Sequence, residues 1–142
     1  MTQIDFYFNT SDKYRLAARL GAKSLEQCTR MFLLTSDPRA TEEVETLLWT
    51  CQQTGFLPHC RSRHPLAAET PLIVDHDSSV MVHDDILLNL CESHPAFFSR
   101  FRRLIEVVGL DEEDRTAARL RYKFYRDRGY EIHRHDMTGK SL

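Results

Sequence analysis

The stretch Ile4-Asp5-Phe6-Tyr7-Phe8 runs directly into Asn9-Thr10-Ser11-Asp12. Its first half is aromatic and β-branched, as strands are, and its second half gathers the side chains that cap helix N-termini. A strand therefore enters a helix. From Lys13 to Gln27 and just beyond, Tyr14, Ala17, Ala18, Leu25 and Cys28 recur at helical spacing, and a second apolar run, Met31-Phe32-Leu33-Leu34, follows.

The same unit then repeats. Ser36-Asp37-Pro38 predicts the start of a helix with Val44, Leu47, Leu48 and Cys51 on its apolar face, stopped by Gly55 before Phe56-Leu57-Pro58. Strands alternating with helices favour a parallel sheet. Further apolar runs lie at Pro71 to Val74, Ile86 to Leu90 and Phe101 to Val108, with polar loops between them. Because these runs are continuous rather than alternating, they predict strands covered on both faces. The expected fold is α/β: a single domain over residues 1–142, with an open, mainly parallel sheet flanked by helices and a polar tail from about residue 133.

The last helix is the most sharply delimited. It opens with Asp111-Glu112-Glu113-Asp114, closes with Lys123, Arg126 and Arg128, and is stopped by Gly129, so acids lie at its positive end and bases at its negative end. A short strand, Tyr130-Glu131-Ile132, is expected after it.

Composition narrows the function. With 42% hydrophobic and 28% charged residues the chain is an ordinary globular one, and a net charge of −2 argues against coating DNA by bulk attraction. No apolar run approaches the ~20 residues needed to span a bilayer, and the N-terminal residues lack the pattern of a signal peptide, so a cytoplasmic protein is expected. Cys28, Cys51, Cys60 and Cys91 are far apart with no C-x-x-C pair, which suits reduced thiols. His133 and His135 lack companions that would complete a four-ligand set, so neither metal nor cofactor is expected. Thr138-Gly139-Lys140-Ser141 echoes a phosphate-binding loop, but Arg134 stands where an earlier glycine is required.

The last helix carries the candidate site. At 100° per residue, Ala117, Leu120 and Phe124 share one face, expected to be buried. Arg115, Arg119, Tyr122 and Arg126 fall within about 60° of one another on the other side, with Lys123 on the flank. A charged helix face often does no more than complement the helix dipole, at about 0.3–1 kcal/mol per charge. Four cations with a tyrosine among them can do more: guanidinium groups bind carboxylates while an aromatic wall takes a side chain, as in the capture of acidic peptide motifs.

The segment Ala118-Arg119-Leu120-Arg121-Tyr122-Lys123-Phe124-Tyr125-Arg126-Asp127-Arg128-Gly129-Tyr130 resembles the C-terminal signature of the chi subunit family of bacterial DNA polymerase III. Phe6-Tyr7-Phe8, Leu48-Trp49, Phe56-Leu57-Pro58-His59, Asp85 to Leu90, and Phe97 to Val108 have counterparts in the same order, so the likeness covers nearly the whole chain. Leu120 departs from it, where a polar or acidic residue is expected, as does the stretch from His133 to Leu142. The resemblance implies a nucleotide-binding-like topology that holds no nucleotide. It also implies two protein contacts: the psi subunit, which links chi to the clamp loader, and the acidic C-terminal tail of single-stranded DNA-binding protein, which ends in proline and phenylalanine. On this basis Arg115, Arg119 and Lys123 would be the tail's cations, and Tyr122, Trp49, Phe56 and Val108 would line the pocket for its terminal phenylalanine.

Two other functions fit such a scaffold: a small nucleotide-binding enzyme, and a direct binder of single-stranded nucleic acid through the basic helix. No nucleophile with a base, and no paired carboxylates, can be recognised for the first. The net negative charge and the acidic start of the helix weigh against the second.

Overall fold

A computed structural model of the chain describes residues 1–50 and 57–140. Among the described residues seven strands form one sheet: β1 (Gln3–Thr10), β2 (Met31–Leu34), β3 (His59–Cys60), β4 (Leu72–Asp75), β5 (Ile86–Asn89), β6 (Arg103–Gly109) and β7 (Ile132–Asp136). Their order across the sheet is β3-β4-β2-β5-β6-β1-β7, and every pairing is parallel. The α-helices among the described residues are α1 (Lys13–Glu26), α2 (Pro38–Thr50) and α3 (Glu112–Asp127).

The helices lie where the handedness of parallel crossovers requires. From β1 the chain moves through α1 to β2 and through α2 to β3, toward one edge of the sheet, whereas from β6 it moves through α3 to β7, toward the other. Right-handed crossovers running in opposite directions must place their helices on opposite faces. Accordingly, Leu16, Ala17, Val44 and Leu48 of α1 and α2 pack with Met31, Leu33, Leu72, Val74 and Leu88 on the first face. Ala118 and Tyr125 of α3 pack with Ile4, Phe6, Phe32, Leu87 and Leu104 on the second, which the loops carrying Ala67, Phe98 and Phe101 complete. The continuous apolar runs follow directly from this double coverage.

Local chemistry fixes the element ends. The Asp12 carboxylate accepts from the Arg15 N–H at 3.1 Å and that of Asp37 from the Ala40 N–H at 2.8 Å, each capping a helix start. Past α3, Gly129 adopts φ +83°, a conformation that stops a helix cheaply only as glycine. In α1 the buried set is Leu16, Ala17, Ala18, Gly21 and Ser24, with Tyr14 and Leu25 partly buried and Cys28 exposed beyond the helix end. Cys51 and Gly55 lie outside the described residues.

One expectation is corrected here. The residues after 132 are not a tail: His133-Arg134-His135-Asp136 continue β7, which pairs with β1 from Ile4↔Ile132 to Phe8↔Asp136. The sequence looks tail-like because an edge strand open to water needs no apolar alternation. Polar contacts hold it instead. His135 Nε2 lies 2.9 Å from Asp5 Oδ1, the His135 ring stacks on Tyr7 with centroids 4.3 Å apart, and Asn9 Nδ2 donates to Asp136 Oδ1 at 3.1 Å.

Candidate functional site

The site begins with a carboxylate inside the core. Glu106 lies in the middle of β6 with no exposed surface, and burial pushes its carboxyl group up from the ordinary range. Four hydrogen bonds answer that cost. Arg121 Nε donates to it at 3.0 Å, the Tyr125 hydroxyl at 2.5 Å, and Asn89 Nδ2 to its two oxygens at 3.1 and 3.2 Å. Arg121 Nη1 also donates to the Glu92 carbonyl at 2.6 Å. Burial beside that carboxylate drives the Tyr125 phenol far above its usual pKa, so it stays a donor.

This network turns the helix. Ala117, Leu120 and Phe124 were the expected core face, but α3 buries Ala118, Arg121 and Tyr125, each one residue further on, a rotation of about 100°. Leu120 is 68% exposed, while Ala117 and Phe124 are half-buried. The Phe124 ring lies between the His94 imidazole, with centroids 3.6 Å apart, and the Arg128 guanidinium, 3.5 Å from the ring centre. A paired arginine in the core defeats any periodicity that scores arginine as exposed.

The rotation brings part of the basic row down against the sheet. A groove of about 440 Å³ runs between α3 and β7, within the range of about 300–1,000 Å³ common to ligand clefts. Its floor is Phe6 and Phe8 of β1 and Val108 of β6, and its helical wall is Arg115, Ala118, Arg119 and Tyr122. Tyr122 meets Phe6 edge-on with centroids 5.4 Å apart. Asn9 lines one end in a left-handed conformation, φ 59°, and its Oδ1 accepts from Arg115 Nη2 at 3.3 Å. Arg134 of β7 forms the opposite rim.

Of the residues picked out from the sequence, Arg115, Arg119, Tyr122 and Val108 meet in this groove. Lys123 and Arg126 are exposed on the same helix and do not line it, and Arg126 lies 3.4 Å from Asp127. Arg119 approaches Glu112 at 3.3 Å, but both side chains are more than two-thirds exposed, a pairing worth little in water. Trp49 is not brought here. It sits on α2, over the other face, with its ring edge-on to His59 of β3 at 5.8 Å, and it is 57% exposed. Four strands separate β3 from β1, about 24 Å of sheet, because α2 carries the chain away from β1. Phe56 lies outside the described residues. Arg134 escaped the sequence reading because β7 itself did.

The crevice where such sheets hold nucleotides lies beyond the C-terminal ends of β1 and β6, where the crossover direction reverses. Here carboxylates stand around it. Asp12 caps α1, the first turn of α3 holds Glu112, Glu113 and Asp114, and Asp114 accepts from Lys13 Nζ at 3.1 Å and from the Gly109 N–H at 2.6 Å. A Cβ on Gly109 would stand 3.3 Å from both Asp114 and Lys13, so this ion pair lies close over the backbone at the end of β6. Among the described residues no group of three His, Cys, Asp or Glu side chains could hold a metal ion, and no helix is long and apolar enough to cross a membrane.

Comparison with known proteins agrees with the architecture. The family model for "DNA polymerase III chi subunit, HolC" matches residues 1–133. A Pseudomonas aeruginosa protein, "DNA polymerase III subunit chi", is 31% identical over 139 residues, covering 95% of this chain and 96% of its own length. A Haemophilus influenzae protein of the same name is 25% identical over 118 residues, 82% of each chain. With nearly its whole length matched, the chain belongs to the DNA polymerase III chi subunit family.

Proposed function

We propose that this protein is a non-catalytic accessory subunit of the DNA polymerase III holoenzyme, acting in the cytoplasm, and that its α3 groove takes the acidic C-terminal tail of single-stranded DNA-binding protein. The other partner is psi, through which the clamp loader is joined to DNA coated with that binding protein. Contact with nucleic acid is thereby indirect. The family supplies the setting, and one observation carries the site: an aromatic floor of Phe6, Phe8 and Tyr122 edged by guanidinium groups that, among the described residues, no buried carboxylate neutralises.

Such a groove suits a ligand with an apolar end and acidic neighbours. A phenylalanine ring covers the floor, while carboxylates meet Arg115 and Arg119 in charge-assisted hydrogen bonds. Trp49, exposed at the far edge on the other face, is better placed for the second partner than for the tail. Two separate surfaces are what a linker between two proteins needs.

The test is calorimetric titration with an acidic peptide ending in Pro-Phe, with and without its last residue. The full peptide should bind and the shortened one should not. Trp49→Ala should leave the affinity unchanged. Equal binding of the two peptides, or of wild type and Arg119→Ala, would remove the proposal.

A further inference from the structure

We infer that a second groove, between α1 and β7 on the opposite face of the sheet, takes the upstream part of the same acidic segment, so that one partner chain folds over the end of β7 and lies on both faces. This rests on the peptide-binding reading above. The second groove has a volume of about 790 Å³. Its floor includes Tyr7, Leu20 and Met137, each only partly buried, and its rim carries Arg19 and Lys23 of α1 and Lys140 beyond β7. Among the described residues that line it, Glu26 is the one carboxylate, so the groove is positive.

The α1 cations repeat a spacing already met on α3. Arg15, Arg19 and Lys23 follow one another as Arg115, Arg119 and Lys123 do, so each helix shows a row of bases. Arg19 and Lys23 stand about 6 Å apart along the helix axis, and alternate side chains of an extended peptide recur about every 6.6 Å. Carboxylates on one side of such a peptide can therefore meet both. The floor is aliphatic apart from Tyr7 and His135, which stack on each other, and so it suits peptide side chains better than bases that need free ring faces. Continuity selects the occupant. A hollow of about 640 Å³ over the end of β1 shares Asn9 and Arg115 with the α3 groove, and Met137 and Lys140 with the α1 groove. One path of cations thus joins the two faces.

The experiment titrates two acidic peptides with the same Pro-Phe end, of about six and about 16 residues, which reach ~20 and ~50 Å when extended, into wild type, R19Q/K23Q and R39Q/R100Q. The last variant removes two exposed charges outside both grooves. Wild type should bind the long peptide about tenfold tighter than the short one at low salt, since exposed ion pairs contribute a few-fold each, and the advantage should shrink as salt rises. R19Q/K23Q should lose most of that advantage while keeping the short peptide's affinity and the unfolding midpoint, and R39Q/R100Q should retain it. If wild type binds both peptides equally, or R19Q/K23Q keeps the advantage or weakens both peptides alike, the inference falls while the α3 reading stands. The same holds if R39Q/R100Q loses as much, if two short peptides bind each protein, or if an oligothymidine displaces the long peptide through Arg19 and Lys23. If neither peptide binds wild type, both fall.

Discussion

One helix carries two arrangements of the same residue types. On its buried side Arg121 and Tyr125 close on Glu106, a carboxylate supplied by the protein itself. On its flank Arg115, Arg119 and Tyr122, with Arg134 across from them, stand over an apolar floor and find no buried counter-charge among the described residues. The first arrangement fixes how the helix sits; the second, placed by that rotation, is left able to accept an anion. Arginine is thus no guide to function by itself, and what separates the two regions is whether the matching carboxylate belongs to the chain.

The comparison is broken most directly from inside. Glu106→Gln leaves Arg121 buried without its counter-ion, and denaturant unfolding should show a loss of about 3–5 kcal/mol. A loss under 1 kcal/mol would mean that the network does not hold the helix. On the flank the effect should move from folding to binding. Arg119→Ala should weaken the tail peptide by about 1–3 kcal/mol, read by titration, with an unchanged unfolding midpoint. Lys123→Ala, on a residue outside the groove, should fall below that range, and a loss as large as that of Arg119→Ala would extend the site along the helix.

The edge strand offers a pH test. Burial pushes the Asp5 carboxyl up, but hydrogen bonds from His135 and Arg103 more than offset this and hold it below its ordinary value of 3.8. A carboxylate so lowered stabilises the fold above that value and ceases to as pH falls below it. Amide exchange of β7 should therefore accelerate below about pH 4 ahead of β2 and β4, and Asp5→Asn should remove the difference. The smallest effect is expected at Leu120, where Leu120→Ser should change stability by no more than about 0.5 kcal/mol. A core-sized loss of 2–5 kcal/mol there would restore the other rotation of the helix.

These cases also mark what the sequence could and could not disclose. The unit from Ile4 to Leu34, the limits of α3 and the parallel sheet were legible because caps, breakers and apolar runs act locally. The rotation of α3 was not, since it depends on Arg121 meeting Glu106 from another element. A signal was present all the same: a glutamate inside Leu104-Ile105-Glu106-Val107-Val108 requires a buried donor, and the following helix offers arginines. β7 was hidden because water covers one side of it, and Arg134 went unnoticed with it. The distance of Trp49 from the groove follows from strand order, which no spacing along the chain encodes.

That strand order has a consequence for synthesis. β1 leaves the ribosome well before the strands it pairs with: Gln3 pairs with Arg103 and Ile4 with Ile132, each made 100 residues or more later. Until then an aromatic segment has both edges unsatisfied, a state prone to slow maturation and to mispairing with other nascent chains. A ribosome halted at Gly129 would release a molecule lacking one rim of its groove and one neighbour of β1.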